Sequence, residues 1–233
     1  MHKGGNVYKR NHGFTLIELM ISLTILTMLL FTGSYVYIML SSRWDKQLGS
    51  FSDNALIAKN IEATQRVLEG IHALVVVDNK KTPSFFFIGH SDSLLAITHS
   101  GIFSGDFPEI FRITSVPNTN GKFDLIYQAV SIENILLVKT DQEIRFDHQL
   151  TLFTNLDSAT FNYLGWSSYK VKSFRYTTGD KLQWRNRYSG IDSQIMPEQL
   201  TFTIKKSGLS LSIPVELDNN TERWLSPYFG TDE

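Results

Sequence analysis

The chain has 233 residues, 42% of them apolar and 19% charged, enough for one ordinary domain plus an appendage and too apolar for a disordered or collagen-like polymer. Twenty-two Lys and Arg against 23 Asp and Glu leave a net charge of −1, so the chain as a whole lacks the basic footprint of a nucleic-acid binder. With no cysteine, it has no disulfide scaffold, no thiol nucleophile and no cysteine-ligated zinc or iron–sulfur site.

The first thirteen residues, MHKGGNVYKRNHG, hold Lys3, Lys9 and Arg10 and no acid. An apolar run follows, and residues 19–40 carry no charge. Those 22 residues span roughly 33 Å as a helix, a bilayer core. Positive charge stays on the cytoplasmic side, which orients the leader inside and the rest of the chain outside. The order also fits a secretory signal. The run is long for one, however, and Ser41-Ser42-Arg43-Trp44 reads as a continuing helix rather than a small-residue cleavage site. Glu18 stands near the start of the run. A carboxylate in hydrocarbon is costly unless paired, so it is either an interfacial acid or a functional one.

Gly13-Phe14-Thr15-Leu16-Ile17-Glu18, behind a basic leader and opening an apolar helix, resembles the processing motif of type IV prepilins and type II secretion pseudopilins. The resemblance implies cleavage by prepilin peptidase between Gly13 and Phe14, N-methylation of Phe14, and an assembly salt bridge from Glu18 to a neighbour's Phe14 amine. It implies other minor and major pilins and inner-membrane lipid as partners. It implies a single-pass protein of the bacterial inner membrane, periplasmic beyond the span and later in a filament tip. No cofactor, metal, catalytic residue or nucleic acid is expected. The domains are then a leader at 1–13, a transmembrane and assembly helix at 14–43, and a periplasmic head at 44–233.

Beyond the span, Leu48, Phe51, Ala55, Ala58, Ile61, Leu68, Ile71 and Val75 recur at helical spacing, with charged residues between them. This predicts one helix from about Leu16 to Val76, ended by Asp78–Pro83. Strands are expected at 84–89, 93–98, 123–131, 134–140, 159–164, 173–178, 199–205 and 209–217, with a hairpin turn at Lys205-Lys206-Ser207-Gly208. The fold class is therefore α+β, a long N-terminal helix on a mainly antiparallel sheet. Ala58–Leu74, Leu156–Trp166 and Pro197–Ile204 with Ile213-Pro214-Val215 resemble segments of J-type minor pseudopilins, and the W-type minor pilins share this layout.

Other constellations are weaker. The six His form no HExxH, and His90 and His99 are the pair most able to meet. Asp218-Asn219-Asn220-Thr221-Glu222 is rich in oxygen ligands but lacks the spacing of an EF-hand, and reads as a solvated turn. Arg175, Arg185 and Arg187 interleave with Tyr176, Trp184 and Tyr188. Phe85-Phe86-Phe87 reads as strand core. No GxSxG, P-loop or GxGxxG occurs. The rival reading is a signal-anchored periplasmic enzyme or binding domain.

Overall fold

The computed structural model describes residues 15–174, 176 and 179–228. Its elements are α1 (Leu16–Glu69), β1 (Val75–Val77), β2 (Pro83–Phe85), β3 (Ile88–Gly89), β4 (Ser93–Thr98), β5 (Glu109–Pro117), β6 (Phe123–Ser131), β7 (His148–Leu156), β8 (Ser158–Gly165), α2 (Tyr169–Ser173), β9 (Gln183–Arg185), β10 (Tyr188–Ser189), α3 (Gly190–Ser193), β11 (Gln199–Lys206) and β12 (Leu209–Glu216). Two short 3₁₀ turns, Thr221–Trp224 and Ser226–Tyr228, follow. The chain divides into two units, Met1–Leu56 and Ile57–Glu233.

In the first unit, Leu16–Met39 is a 24-residue apolar helical stretch, long enough to cross a bilayer. Four of its hydroxyls, on Ser22, Thr24, Thr27 and Thr32, bond back to carbonyls of the same helix. Ser22 donates to the Glu18 carbonyl at 2.8 Å, Thr24 to Ile21 at 2.8 Å, and Thr32 to Met28 at 2.8 Å. Hydrocarbon offers no partner for a free hydroxyl, so this internal pairing is what a lipid-facing helix needs.

In the second unit, a six-stranded sheet runs β10-β3-β4-β5-β6-β7 and a four-stranded sheet runs β12-β11-β8-β9, with all ladders antiparallel. The α+β class is as expected. The two sheets share one core with the end of α1 and the residues after it: Val67 and Leu68 of α1, and Ile71 beyond it, pack among Phe111, Tyr127, Phe161 and Phe202. Strand pleating sends alternate residues to the opposite face of the large sheet. There Ile97, Ile110 and Val130 form a second, smaller cluster. Phe85 and Phe87 enter the main core and Phe86 the smaller one, which is why three consecutive phenylalanines are all buried.

Several expected boundaries are corrected. The helix ends at Glu69, not Val76. The β-branched run Val75-Val76-Val77 pairs with Pro83–Phe85 instead. Asp78–Pro83 is accordingly a hairpin turn rather than a helix stop, with the Asp78 carboxylate accepting from Lys80 N at 2.8 Å and Thr82 N at 2.7 Å. Residues 134–140 are not a strand. They belong to a loop that folds Leu137, Ile144 and Phe146 over the smaller cluster. Of the expected strand 173–178, the described residues Ser173, Phe174 and Tyr176 are not in a strand, and Ser168 caps helix α2 just before them, its Oγ accepting from Val171 N at 3.4 Å; residues 175, 177 and 178 lie outside the described residues. The expected strand over 84–89 is interrupted and becomes β2 and β3. Strands β5 and β7 were not expected. The turn at Ser207-Gly208 is as expected, with both residues at positive φ (52° and 82°), the geometry of a two-residue hairpin loop.

One buried acid organises a whole loop. Glu109 is fully buried at the start of β5. Its carboxylate accepts from the backbone N–H of Ile102 (3.2 Å), Phe103 (2.7 Å) and Ser104, and from the Tyr127 hydroxyl (2.6 Å). Burial, then the bond to Glu109, pushes the Tyr127 phenol far above its usual range, so it stays a donor. Gly101 borders this cradle. A Cβ there would fall 2.1 Å from the Glu109 carboxyl carbon, so only glycine fits. Glu109→Gln places an amide N–H₂ against these donors. It is expected to lower stability by about 2–3 kcal/mol, read as a fall in melting temperature, and a shift below a few tenths would sink this account of the loop.

Candidate functional site at the start of the membrane helix

The apolar helix begins with a reciprocal cap. Glu18 N donates to Thr15 Oγ1 at 3.3 Å, while Thr15 N and Thr15 Oγ1 each donate to Glu18 Oε2 at 3.0 Å. This is a Thr-x-x-Glu capping box, which satisfies two of the N–H groups a helix start leaves unpaired. The spacing was visible in the sequence, but reading Glu18 only as a buried or interfacial acid passed over it. Glu18 therefore has a local partner within its own chain. Gly13 and Phe14 lie outside the described residues.

The other candidate sites resolve differently. His99 stacks on His72, with ring centroids 3.6 Å apart, so the pair is not His90 with His99. Among the described residues no group of three or more His, Asp or Glu is placed to hold a metal ion. Some of the oxygens of 218–222 are already engaged, while Glu222 Oε2 is buried without a partner among the described residues. Asp218 pairs with Arg223 at 2.7 Å and accepts from Asn220 N at 2.9 Å. Glu222 pairs at 2.7 Å with Lys172, a buried ammonium that also meets Glu198 at 3.5 Å and the Asn219 carbonyl. The basic–aromatic group is not one surface. Tyr188 is buried, Trp184 is exposed, and Arg175 lies outside the described residues.

The stacked pair gives a pH dependence. His72 lines a cavity of about 760 Å³ with His99, Asp218, Arg223, Trp224 and Tyr228. Burial, and then the His99 ring, lower its pKa from 6.5 to about 4. A folded-state pKa below the unfolded one means that the unfolded chain binds more protons between these values. Stability is therefore full above about 6.5, falls as the pH drops toward 4, and levels below it. Screening by solvent at the partly open ring holds the loss to about 2 kcal/mol. Melting of the full chain in detergent micelles across this range should show the slope, and His72→Asn should flatten it. An equal slope in both chains would assign the effect elsewhere.

An apolar helix capped by Thr15 and Glu18, followed in sequence by an antiparallel β-rich unit, fits a membrane-anchored pilin-like protein. Residues 8–33 match the model of the prokaryotic N-terminal methylation motif. The chain thus carries the precursor signature of the type IV prepilin and pseudopilin family, whose members are typically structural rather than enzymatic. That motif implies processing by prepilin peptidase and assembly with other pilins. No curated protein matches the chain.

Proposed function

We propose that the protein is a minor pilin-like subunit of a type II secretion or type IV pilus machine, cut between Gly13 and Phe14, methylated at Phe14 and built into a filament tip. The observation that carries this reading is the methylation motif opening a capped, bilayer-length helix. The lysine- and arginine-containing leader supports a cytoplasmic N-terminus, and the large β-rich unit would then be periplasmic. Resemblance of its segments to J-type minor pseudopilins supports low copy and the tip. Glu18 is proposed to exchange its Thr15 cap for a neighbour's Phe14 amine on assembly.

The absence of cysteine makes a direct test simple. A photoactivatable cross-linker attached to a single cysteine at Leu26, an exposed position in the span, is expected to cross-link on illumination to other pilins of the same machine. The adducts should contain mainly minor subunits and carry the processed form. Cross-linking to no pilin, with the leader retained, favours a signal-anchored periplasmic enzyme or binding domain instead.

A further inference from the structure

The chain passes from the small sheet to the large one between β9 and β10. At this crossing Trp166, Ser167, Arg185, Arg187, Ser189 and Asp192 surround a cleft of about 160 Å³. The Arg185 Nε is buried and meets no acceptor. Its terminal nitrogen reaches only the neutral Gln183 Oε1, at 3.2 Å. The ion pairs among the described residues include neither Arg185 nor Arg187. A buried donor without an acceptor is costly, and the two guanidiniums are in no ion pair among the described residues, not even with Asp192 at the cleft.

We propose that this cleft binds one oxyanion group. The donors fit such a guest. A guanidinium offers its fork of N–H groups to paired oxygens, and Arg185 brings a dry Nε–H to this one. Ser189 Oγ already accepts from Asp192 N at 3.1 Å, so its own proton is left to donate. The walls are rigid. Tyr188 donates to the Trp166 carbonyl at 2.9 Å, and Ser193 donates to the Ile195 carbonyl at 2.9 Å, so little ordering is needed on binding. The volume admits a single carboxylate or phosphate and is well below that of a drug-sized pocket. Exposed Asp192 at the same cleft opposes a second negative charge, which favours a carboxylate over a phosphate dianion. The group comes either from a free inorganic anion or from an acidic side chain of a protein partner.

The test uses the full chain in detergent micelles with ¹⁵N-labelled arginine. The Arg185 Nε–H resonance is followed while inorganic phosphate is added in one arm and N-acetyl-glutamate methylamide in the other, against chloride at matched ionic strength. A saturable shift in either arm beyond the chloride control supports the site. A shift only with phosphate identifies a free anion as the source, and tighter binding of the glutamate derivative identifies a protein carboxylate. Arg187→Gln, at an exposed position, removes from the cleft a charge of the same sign as Arg185, so it should not lower the melting temperature of the free chain, and it should weaken binding about tenfold, equivalent to about 1.4 kcal/mol. Arg185→Lys should abolish the saturable response in a thermal-shift assay, and if that variant does not fold, Arg187→Gln decides alone. No saturable shift in either arm, or unchanged affinity in Arg187→Gln, overturns the proposal. None of these outcomes depends on processing at Gly13.

Discussion

Gly13→Leu should leave the precursor uncut when co-expressed with prepilin peptidase, while the wild-type chain yields a product that begins at Phe14 and is shorter by 13 residues. The reason is steric. A peptidase must bring its catalytic groups against the carbonyl of the residue before the cut, and glycine alone presents that carbonyl without a Cβ. A leucine there obstructs the approach, and losing the reactive geometry by even about 1 Å costs on the order of a hundredfold in rate. The apolar helix is untouched by the substitution, so membrane insertion should persist. Mass spectrometry of the N-terminus separates the outcomes. If Gly13→Leu is cut as well as the wild type, the prepilin reading of this segment is wrong. A chain that loses its whole apolar helix on processing would identify an ordinary secretory signal instead.

Glu18→Ala should separate membrane storage from assembly. In the free subunit the carboxylate is held by Thr15, so the substitution removes a cap worth about 1 kcal/mol together with an acid that is costly in hydrocarbon. Insertion and cleavage should both survive. Incorporation should not, because a neighbour's Phe14 amine would then be buried without its counterpart. Breaking one half of a buried pair costs about 3–5 kcal/mol, a hundredfold or more in assembly. Co-purification of other pilin subunits, compared at equal membrane abundance, reads this directly. Thr15→Val is the companion variant. It removes the hydroxyl, leaves the backbone donor, and should weaken the cap by about 1 kcal/mol without blocking incorporation. Wild-type recovery of partners by Glu18→Ala would reduce Glu18 to a helix cap and remove it from the assembly mechanism.

The candidate site was legible because everything it needs is contiguous. A charged leader, an uncharged run and a Gly-Phe…Glu spacing are one-dimensional facts, and the hydroxyls of Ser22 and Thr32 pair within their own helix. The Thr15–Glu18 cap belongs to the same class and was available from its spacing alone. The hairpin at Ser207-Gly208 was legible for the same reason, since two adjacent residues determine its twist.

Contacts between distant residues decided the rest. Leu136 and its neighbours are as apolar as many strands, yet 134–140 made a single bridge, Lys139 to Val77, and Ile135 and Leu137 packed on the smaller cluster while Leu136 stayed exposed. The exposed edge strand β7 formed because β6 offered it hydrogen bonds along its length. The helix stopped at Glu69, not Val76, because a run of valines gained more by pairing with β2. His72 met His99, and Lys172 met Glu222, only once the sheets had brought separate segments together. The sequence by itself thus determined the membrane-length helix, its cap and its processing signature, all of which depend on local order. The tertiary structure alone decided strand partners and buried ionic and aromatic pairs, because a strand's stability and a buried charge's tolerance lie in atoms supplied by another part of the chain.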